Sequence, residues 1–285
     1  AALIRYLRAM SMGRILLPLL GLLAAFLPTA LHAEIKALVV ASDYSSARMA
    51  GLQLANPVVD ARMIEAALKR SAVAEVALVE EPDAQEWDEA FDLFANSLNG
   101  DDVALMYFAG HGFQIDGANY FLASDGYSLI GLDPILQRLT KQARGVVFVV
   151  DACRNNPVSE AVDDAAFQVI EVEGGQRGLA RVTLDDIVYA DKGLAQVGNL
   201  RGLSALVFFS TEPGNTAEDG ATPGKGSPFA KEFARQLPRR QSLDELVRKT
   251  AVAVNERTEG RQSPWRQGDL AFDVFIGGMR ALPIP

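Results

Sequence analysis

The strongest constraint on the fold is a set of short, continuous runs of branched and aromatic residues separated by segments of helical period. Ala37–Ala41, Val103–Phe108, Val146–Val150 and Ala205–Phe209 are each apolar at every position, with a weaker fifth run at Glu75–Val79. A half-buried strand alternates polar and apolar residues, so unbroken runs of this length predict strands covered on both faces. Between them, Pro57–Arg70 carries Val59, Met63, Ala66 and Ala67 at helical spacing, and Asp83–Leu98 places Trp87, Phe91, Phe94 and Leu98 on one stripe. Asp83 and Glu86 stand in capping-box spacing, and Asn99-Gly100 supplies a stop. A third helix is predicted from Asp133-Pro134 through Ile135, Leu136 and Leu139 to a stop at Gly145. Strand–helix alternation predicts an α/β sandwich of three layers, a mostly parallel central sheet of about six strands with helices on both faces. Its binding sites then gather at the carboxyl ends of the strands.

Downstream, Ser227-Pro228 opens a predicted helix through Phe229, Phe233 and Leu237. Ser242 with Glu245 predicts another, ending near Gly260, and Leu270–Ile276 reads as a last strand. Asn155–Gly202 has mixed charge and no sustained period, which predicts a long irregular insertion.

The amino-terminal segment reads differently. The chain opens on Ala1, and Ala1–Met10 is taken as an extension carrying no structural weight. Gly13-Arg14, an apolar run Ile15–Leu27 and the small residues up to Ala33 have the layout of a secretory signal peptide. That run falls short of the roughly 20 residues a membrane span needs, so cleavage after Ala33 is expected and no permanent span. The expected location is exported, periplasmic or secreted, with a single domain over residues 34–278. Cleavage removes Arg5, Arg8 and Arg14 and no acid, moving the formal charge from −9 to −12. So acidic a chain is a poor match for nucleic acid.

With 1 Cys and 2 His in the sequence, residues 34–285 keep only Cys153 and His111. A lone Cys in an exported chain makes no internal disulfide, so its thiol is either buried and inert or free and reactive. Zinc needs three or four ligands of soft or carboxylate type, so no metal catalysis is expected. Each of the two residues follows a buried-strand run, in Tyr107-Phe108-Ala109-Gly110-His111-Gly112 and Asp151-Ala152-Cys153-Arg154. Parallel strands bring both to one sheet edge. An imidazole there can take the thiol proton and later protonate the leaving amine, and the Gly112 and Cys153 N–H groups can face the developing oxyanion. Gly224-Lys225-Gly226-Ser227 lacks the spacing of a phosphate loop, and ATP is not indicated.

These motifs, in order, resemble the caspase-like cysteine peptidase superfamily, near the bacterial metacaspases. The resemblance rests on Asn56-Pro57 with Asp60-Ala61, Gly110-His111-Gly112 and Asp151-Ala152-Cys153-Arg154-Asn155-Asn156-Pro157. It continues through Gly193-Leu194-Ala195, Pro213-Gly214, Asp219-Gly220, Ser227-Pro228-Phe229 and Gly260-Arg261-Gln262-Ser263-Pro264-Trp265. It implies a large-subunit part over about 34–157, an insertion over about 158–202 and a small-subunit part over about 203–278. It also implies a Cys153–His111 dyad acting on a protein or peptide substrate, with no organic cofactor. Asp151, two before the Cys, implies a preference for Arg or Lys, with Asp219 as a second acid; the alternative for Asp151 is a helix cap. Calcium activation and self-cleavage are family traits. Their candidates are Asp163-Asp164, Asp185-Asp186, Arg177 and Arg181. The chain departs from the family in carrying Ser42-Asp43-Tyr44 after the first strand, where relatives commonly have Gly-Asn. A catalytically silent caspase-like binding module is the other reading the sequence allows.

Overall fold

Four segments that bury both faces form the middle of a six-stranded central layer, and two more exposed strands form its edges. The structure, a computed structural model, describes residues 33–45, 52–115, 118–153, 169–170, 179–182, 197, 200, 202–213, 215, 217–220 and 222–278. The strands, in chain order, are β1 (Ile35–Ala41), β2 (Glu75–Glu80), β3 (Val103–Ile115), β4 (Ala118–Leu122), β5 (Ser128–Gly131), β6 (Gly145–Cys153), β7 (Val169–Ile170), β8 (Leu179–Val182), β9 (Ala205–Phe209) and β10 (Trp265–Asp269). The helices are α1 (Pro57–Lys69), α2 (Ala84–Ser97), α3 (Leu132–Gln142), α4 (Pro228–Gln236) and α5 (Leu243–Arg257). Across the central layer the order is β2-β1-β3-β6-β9-β10, all parallel except β10. The expected mostly parallel sheet of about six strands is thus present.

The unbroken apolar runs are explained by two separate cores. Ala37, Val39, Leu105, Tyr107, Val147, Val149, Leu206 and Phe208 point to one face, against Ile64 and Leu68 of α1, Phe229 and Phe233 of α4, and Leu246 of α5. Their neighbours Leu38, Val40, Met106, Phe108, Phe148, Val150, Val207 and Phe209 point to the other, against Trp87 and Phe91 of α2 and Ile135 and Leu139 of α3. Each fully buried Phe or Leu contributes roughly 1.5–3 kcal/mol relative to exposure, so both layers of helices are held firmly to the sheet.

A second, antiparallel sheet grows from the same strands. β3 runs for 13 residues. Its first part pairs with β1 and β6, and its last part, from Gly112, pairs with β4. From there β4 pairs β5, β5 pairs β8, and β8 pairs β7. Two expectations are corrected here. Gly110-His111-Gly112 lies within a strand and not after one, and the segment read as irregular, 158–202, contributes β7 and β8. The strands β7 and β8 escaped the sequence because ribbon strands of two and four residues carry too little alternation to register.

Other local corrections have physical reasons. The buried face of α1 is Pro57, Asp60, Ala61, Ile64, Ala67 and Leu68, rotated from the apolar stripe predicted, because the buried face includes a carboxylate. Pro134 occupies the third residue of α3, not the first, and Gly145 opens β6. At that third position the missing N–H still has no intrahelical partner to lose. The last strand is Trp265–Asp269, and Leu270–Ile276 is not a strand. The alternation in that segment is nonetheless real burial. Val274 and Ile276 are buried, and their carbonyls accept from Leu243 N and Ala72 N, so the segment clamps the helical layer without a partner strand.

The first capped helix start closes as the expected capping box, while the second forms only the serine half. Asp83 accepts from Gln85 N and Glu86 N while Glu86 reaches back to Asp83 N. Ser242 accepts from Glu245 N, while Glu245 pairs with Lys249. Residues 1–32, with the predicted signal segment, lie outside the described residues, as do Asp163-Asp164, Asp185-Asp186 and Arg177. Arg181 falls on β8, opposite Ser128. Among the described residues no helix is long and apolar enough to cross a membrane.

Candidate active site

The parallel register of β3 and β6 carries the two candidate residues to the same level. Val103 stands opposite Gly145, and eight residues on, His111 stands opposite Cys153. Sequence reading expected two neighbouring strand ends. What it could not give is that β3 lies next to β6 in matched register, which sets the two side by side.

His111 is buried, and its surroundings select one tautomer. Nε2 lies 2.8 Å from the carbonyl oxygen of Leu52, an acceptor, so Nε2 carries the proton and donates. Nδ1 is then the basic nitrogen, and among the described residues it has no hydrogen-bond partner. Burial pushes the imidazole pKa from 6.5 down to about 4, the Leu52 carbonyl opposing in part. At neutral pH the ring is therefore an uncharged base with its lone pair uncommitted. The backbone around it is fixed as well. His111 N donates to Tyr44 Oη at 2.8 Å, and that hydroxyl donates to the Leu122 carbonyl at 3.1 Å.

Gly110 has a steric reason to be glycine. A Cβ there would stand 2.7 Å from Tyr44 Oη and 2.8 Å from the Phe108 ring. Gly112 is buried opposite Phe121 of β4, at the point where β3 enters the ribbon.

A few residues away, four acidic side chains line one pocket, of which Glu218 pairs with Arg261. It is lined by Leu54, Pro57, Ala109, Gly110 and Ala217, together with Asp60, Asp151, Glu218, Asp219 and Ser227. Asp151 is 9% exposed and accepts from Tyr107 Oη at 3.0 Å and Ser227 Oγ at 3.1 Å. Among the described residues Asp151 caps no helix. It stands within β6, and the cap on α4 is Ser227, which accepts from Ala230 N. Asp60 is buried on α1 and accepts from Ser227 N at 2.8 Å. Asp219 Oδ2 accepts from Ala55 N at 2.7 Å.

Burial raises the pKa of Asp60, with the Asp151 charge adding to it, and burial likewise raises Asp151 and Asp219. No Lys or Arg is among the lining residues. The pocket is therefore an acidic cup whose carboxyls are pushed toward their protonated forms, with no cation among its described lining residues.

Asp151 and Asp219 line the same pocket. Asp60 was missed as a site residue, though its signal is visible: it is the one polar position on the buried stripe of α1. The glycines of Gly224-Lys225-Gly226 also find their use here. A Cβ on Gly226, whose φ is +82°, would come 2.6 Å from Asp60 Oδ1. Gly226 N donates to Asn56 Oδ1, and Asn56 Nδ2 donates to the Asp219 carbonyl. The loop before α4 is thereby stitched to the start of α1. Among the described residues no group of three or more His, Cys, Asp or Glu has the arrangement of a metal site.

Comparison with known proteins agrees with this architecture. No curated protein matches the chain. The crystal structure of caspase-1 from Spodoptera frugiperda superposes with a TM-score of 0.57 at 16% identity, covering 87% of this chain and 93% of that one. At that identity the likeness establishes the fold. The family model described as caspase domain matches residues 35–275, nearly all of the two-sheet body described above. The chain belongs to the caspase-domain family of cysteine peptidases.

Proposed function

We propose that the protein is a cysteine endopeptidase in which Cys153 attacks and His111 moves the proton, cutting after Arg or Lys. The observation that carries the reading is the uncommitted Nδ1 of a buried, neutral His111 on the strand position opposite Cys153. In this mechanism Nδ1 takes the Sγ proton as sulfur bonds to the scissile carbonyl carbon. The oxyanion so formed is met by the Gly112 and Cys153 N–H groups. When the C–N bond breaks, His111 passes the proton to the departing amine, leaving a thioester. Water then attacks the thioester, His111 takes its proton, and the C–S bond breaks to release the acid and restore the thiol. The Leu52 carbonyl holds the imidazole in the required tautomer throughout and is positioned to stabilise the imidazolium.

The preference for a basic residue is supported by the cup of Asp60, Asp151 and Asp219. A cationic side chain entering it replaces a neutralising proton with a fixed charge partner, while an acidic side chain would meet three carboxyl groups. The substrate class is a protein or peptide. The reading includes export of the mature chain from Glu34 and no organic cofactor, with calcium as a candidate activator.

The test is hydrolysis of fluorogenic peptides ending in Arg, Lys or Asp, with and without calcium, by the wild type and by Cys153→Ala. Cleavage after Arg or Lys that disappears in the variant is expected. Cleavage after Asp alone would keep the dyad and remove the cup from specificity. Equal silence of both proteins in every condition would leave a binding module.

A further inference from the structure

The residue that departs from the family pattern, Tyr44, is tied more closely to His111 than any other side chain described. Its ring stacks on the imidazole with centroids 4.7 Å apart and planes 25° from parallel. Its hydroxyl accepts from His111 N and donates to the Leu122 carbonyl. It is wholly buried and sits at φ +60°, a left-handed conformation that a bulky residue adopts only when the surroundings hold it there.

Those surroundings are specific. Asp43 N donates to the Glu81 carboxylate, Leu54 N donates to the Asp43 carbonyl, and Ser42 N donates to the Ala109 carbonyl. Glu81, itself at φ +52°, is fixed by its N–H to the Ala41 carbonyl and by Ser124 Oγ donating to its own carbonyl. The turns after β1, β2 and β4 are thus bound together around one aromatic ring. Gly110 completes the fit, since any Cβ there would collide with the Tyr44 hydroxyl.

We propose that Tyr44 is a positioning residue for the reaction: its ring covers one face of the His111 imidazole and its hydroxyl fixes the backbone from which that imidazole projects. The ring keeps water from that face, so the imidazole stays neutral, and the hydroxyl bridge to Leu122 keeps Nδ1 aimed along the β3–β6 seam. The proposal rests on the dyad reading above. It separates two contributions, the bridge and the cover, that two substitutions can remove in turn.

The experiment measures turnover, KM and the NMR titration of the His111 imidazole in the full chain, with His111→Gln assigning the signal against that of His32. Tyr44→Phe keeps the ring and loses the bridge; kcat is expected to fall about tenfold with KM within about twofold. Tyr44→Leu loses both; a further fall of about tenfold is expected, with the imidazole titration rising toward its ordinary value near 6.5. Thermal unfolding of each variant gives the folded fraction.

Wild-type kcat in Tyr44→Leu with an unmoved titration would overturn the proposal. So would a loss of turnover that only tracks loss of folded protein while the folded fraction titrates as the wild type does. Should the wild type cleave nothing, the dyad reading falls, yet the imidazole titration of Tyr44→Leu still decides whether Tyr44 governs His111.

Discussion

The imidazole wall and the acidic cup lie at the same end of the sheet and are built by the same physical cause acting on opposite charges. Burial lowers the His111 pKa and raises those of Asp60 and Asp151, so in both regions it favours the uncharged form. The consequences differ because of what each group is offered. His111 has a carbonyl on one nitrogen and, among the described residues, no partner on the other, which leaves a free base. The carboxyls have O–H and N–H donors but, among the described residues, no cation, which in the proposed reading leaves them a charge partner short until a substrate side chain enters. In the proposed reading, desolvation therefore prepares the base on one side and the specificity element on the other.

The comparison can be broken most severely at the seam. Cys153→Ala and His111→Ala should each lower kcat/KM by about 10³-fold or more, and a double variant should be little worse than either, since the two act as a unit. Next in size is the cup. Asp151→Asn keeps an acceptor for Tyr107 and Ser227 but removes a charge, so kcat/KM for an Arg peptide should drop about 100-fold, largely through KM. A peptide with an uncharged residue in that place should be cut no worse by the variant than by the wild type, and a loss common to both peptides would contradict the assignment.

A smaller effect, about tenfold, should appear in the pH profile and distinguishes the two regions directly. The carboxyls must ionise to bind a cation and their pKa values are raised, so KM for an Arg peptide should fall as pH rises from 5 to 7. His111, lowered to about 4, is already neutral across that window, so kcat should change little there. A kcat that instead rises with an ordinary midpoint near 6.5 would show that His111 is not shielded.

The smallest effect is on stability. Because Asp60 binds its proton more tightly in the folded protein than in the unfolded chain, its ionisation costs nothing below the unfolded value of 3.8. The cost grows as pH rises toward the raised folded value. Asp60→Asn removes that cost while keeping an acceptor for Ser227 N. It should therefore raise the Tm by about 3 °C at pH 8 and leave it unchanged at pH 4. An equal rise at both values would point to packing and not to charge.

How much of this was legible in the sequence depended on how each residue announces itself. Val103–Phe108 and Val146–Val150 declared their burial by unbroken apolarity, and Cys153 and His111 stood out because nothing else in residues 34–285 could do their chemistry. Asp60 was legible only as an oddity, because a stripe drawn from apolar residues alone skips a carboxylate whose acceptor atoms are satisfied by a loop 167 positions away. Tyr44 showed only as part of a departure from the family pattern, with nothing to say what it does. Its contacts join turns after β1 and β4, 78 residues apart, and no local pattern encodes a meeting of that kind. The strands β4, β5, β7 and β8 were missed for a third reason: their partners are one another, and short antiparallel ribbons depend on pairing more than on composition.

One consequence of the strand order concerns the long stretch of backbone that leaves β6 and comes back as β9. The two strands lie side by side over five matched positions, from Val146 with Ala205 to Val150 with Phe209, and each is further gripped by its own helices. A chain severed anywhere between Cys153 and Ala205 would therefore have no reason to come apart. Its two fragments would remain a single particle held by the sheet itself, so for this molecule an intact covalent chain and an intact three-dimensional body are separate properties.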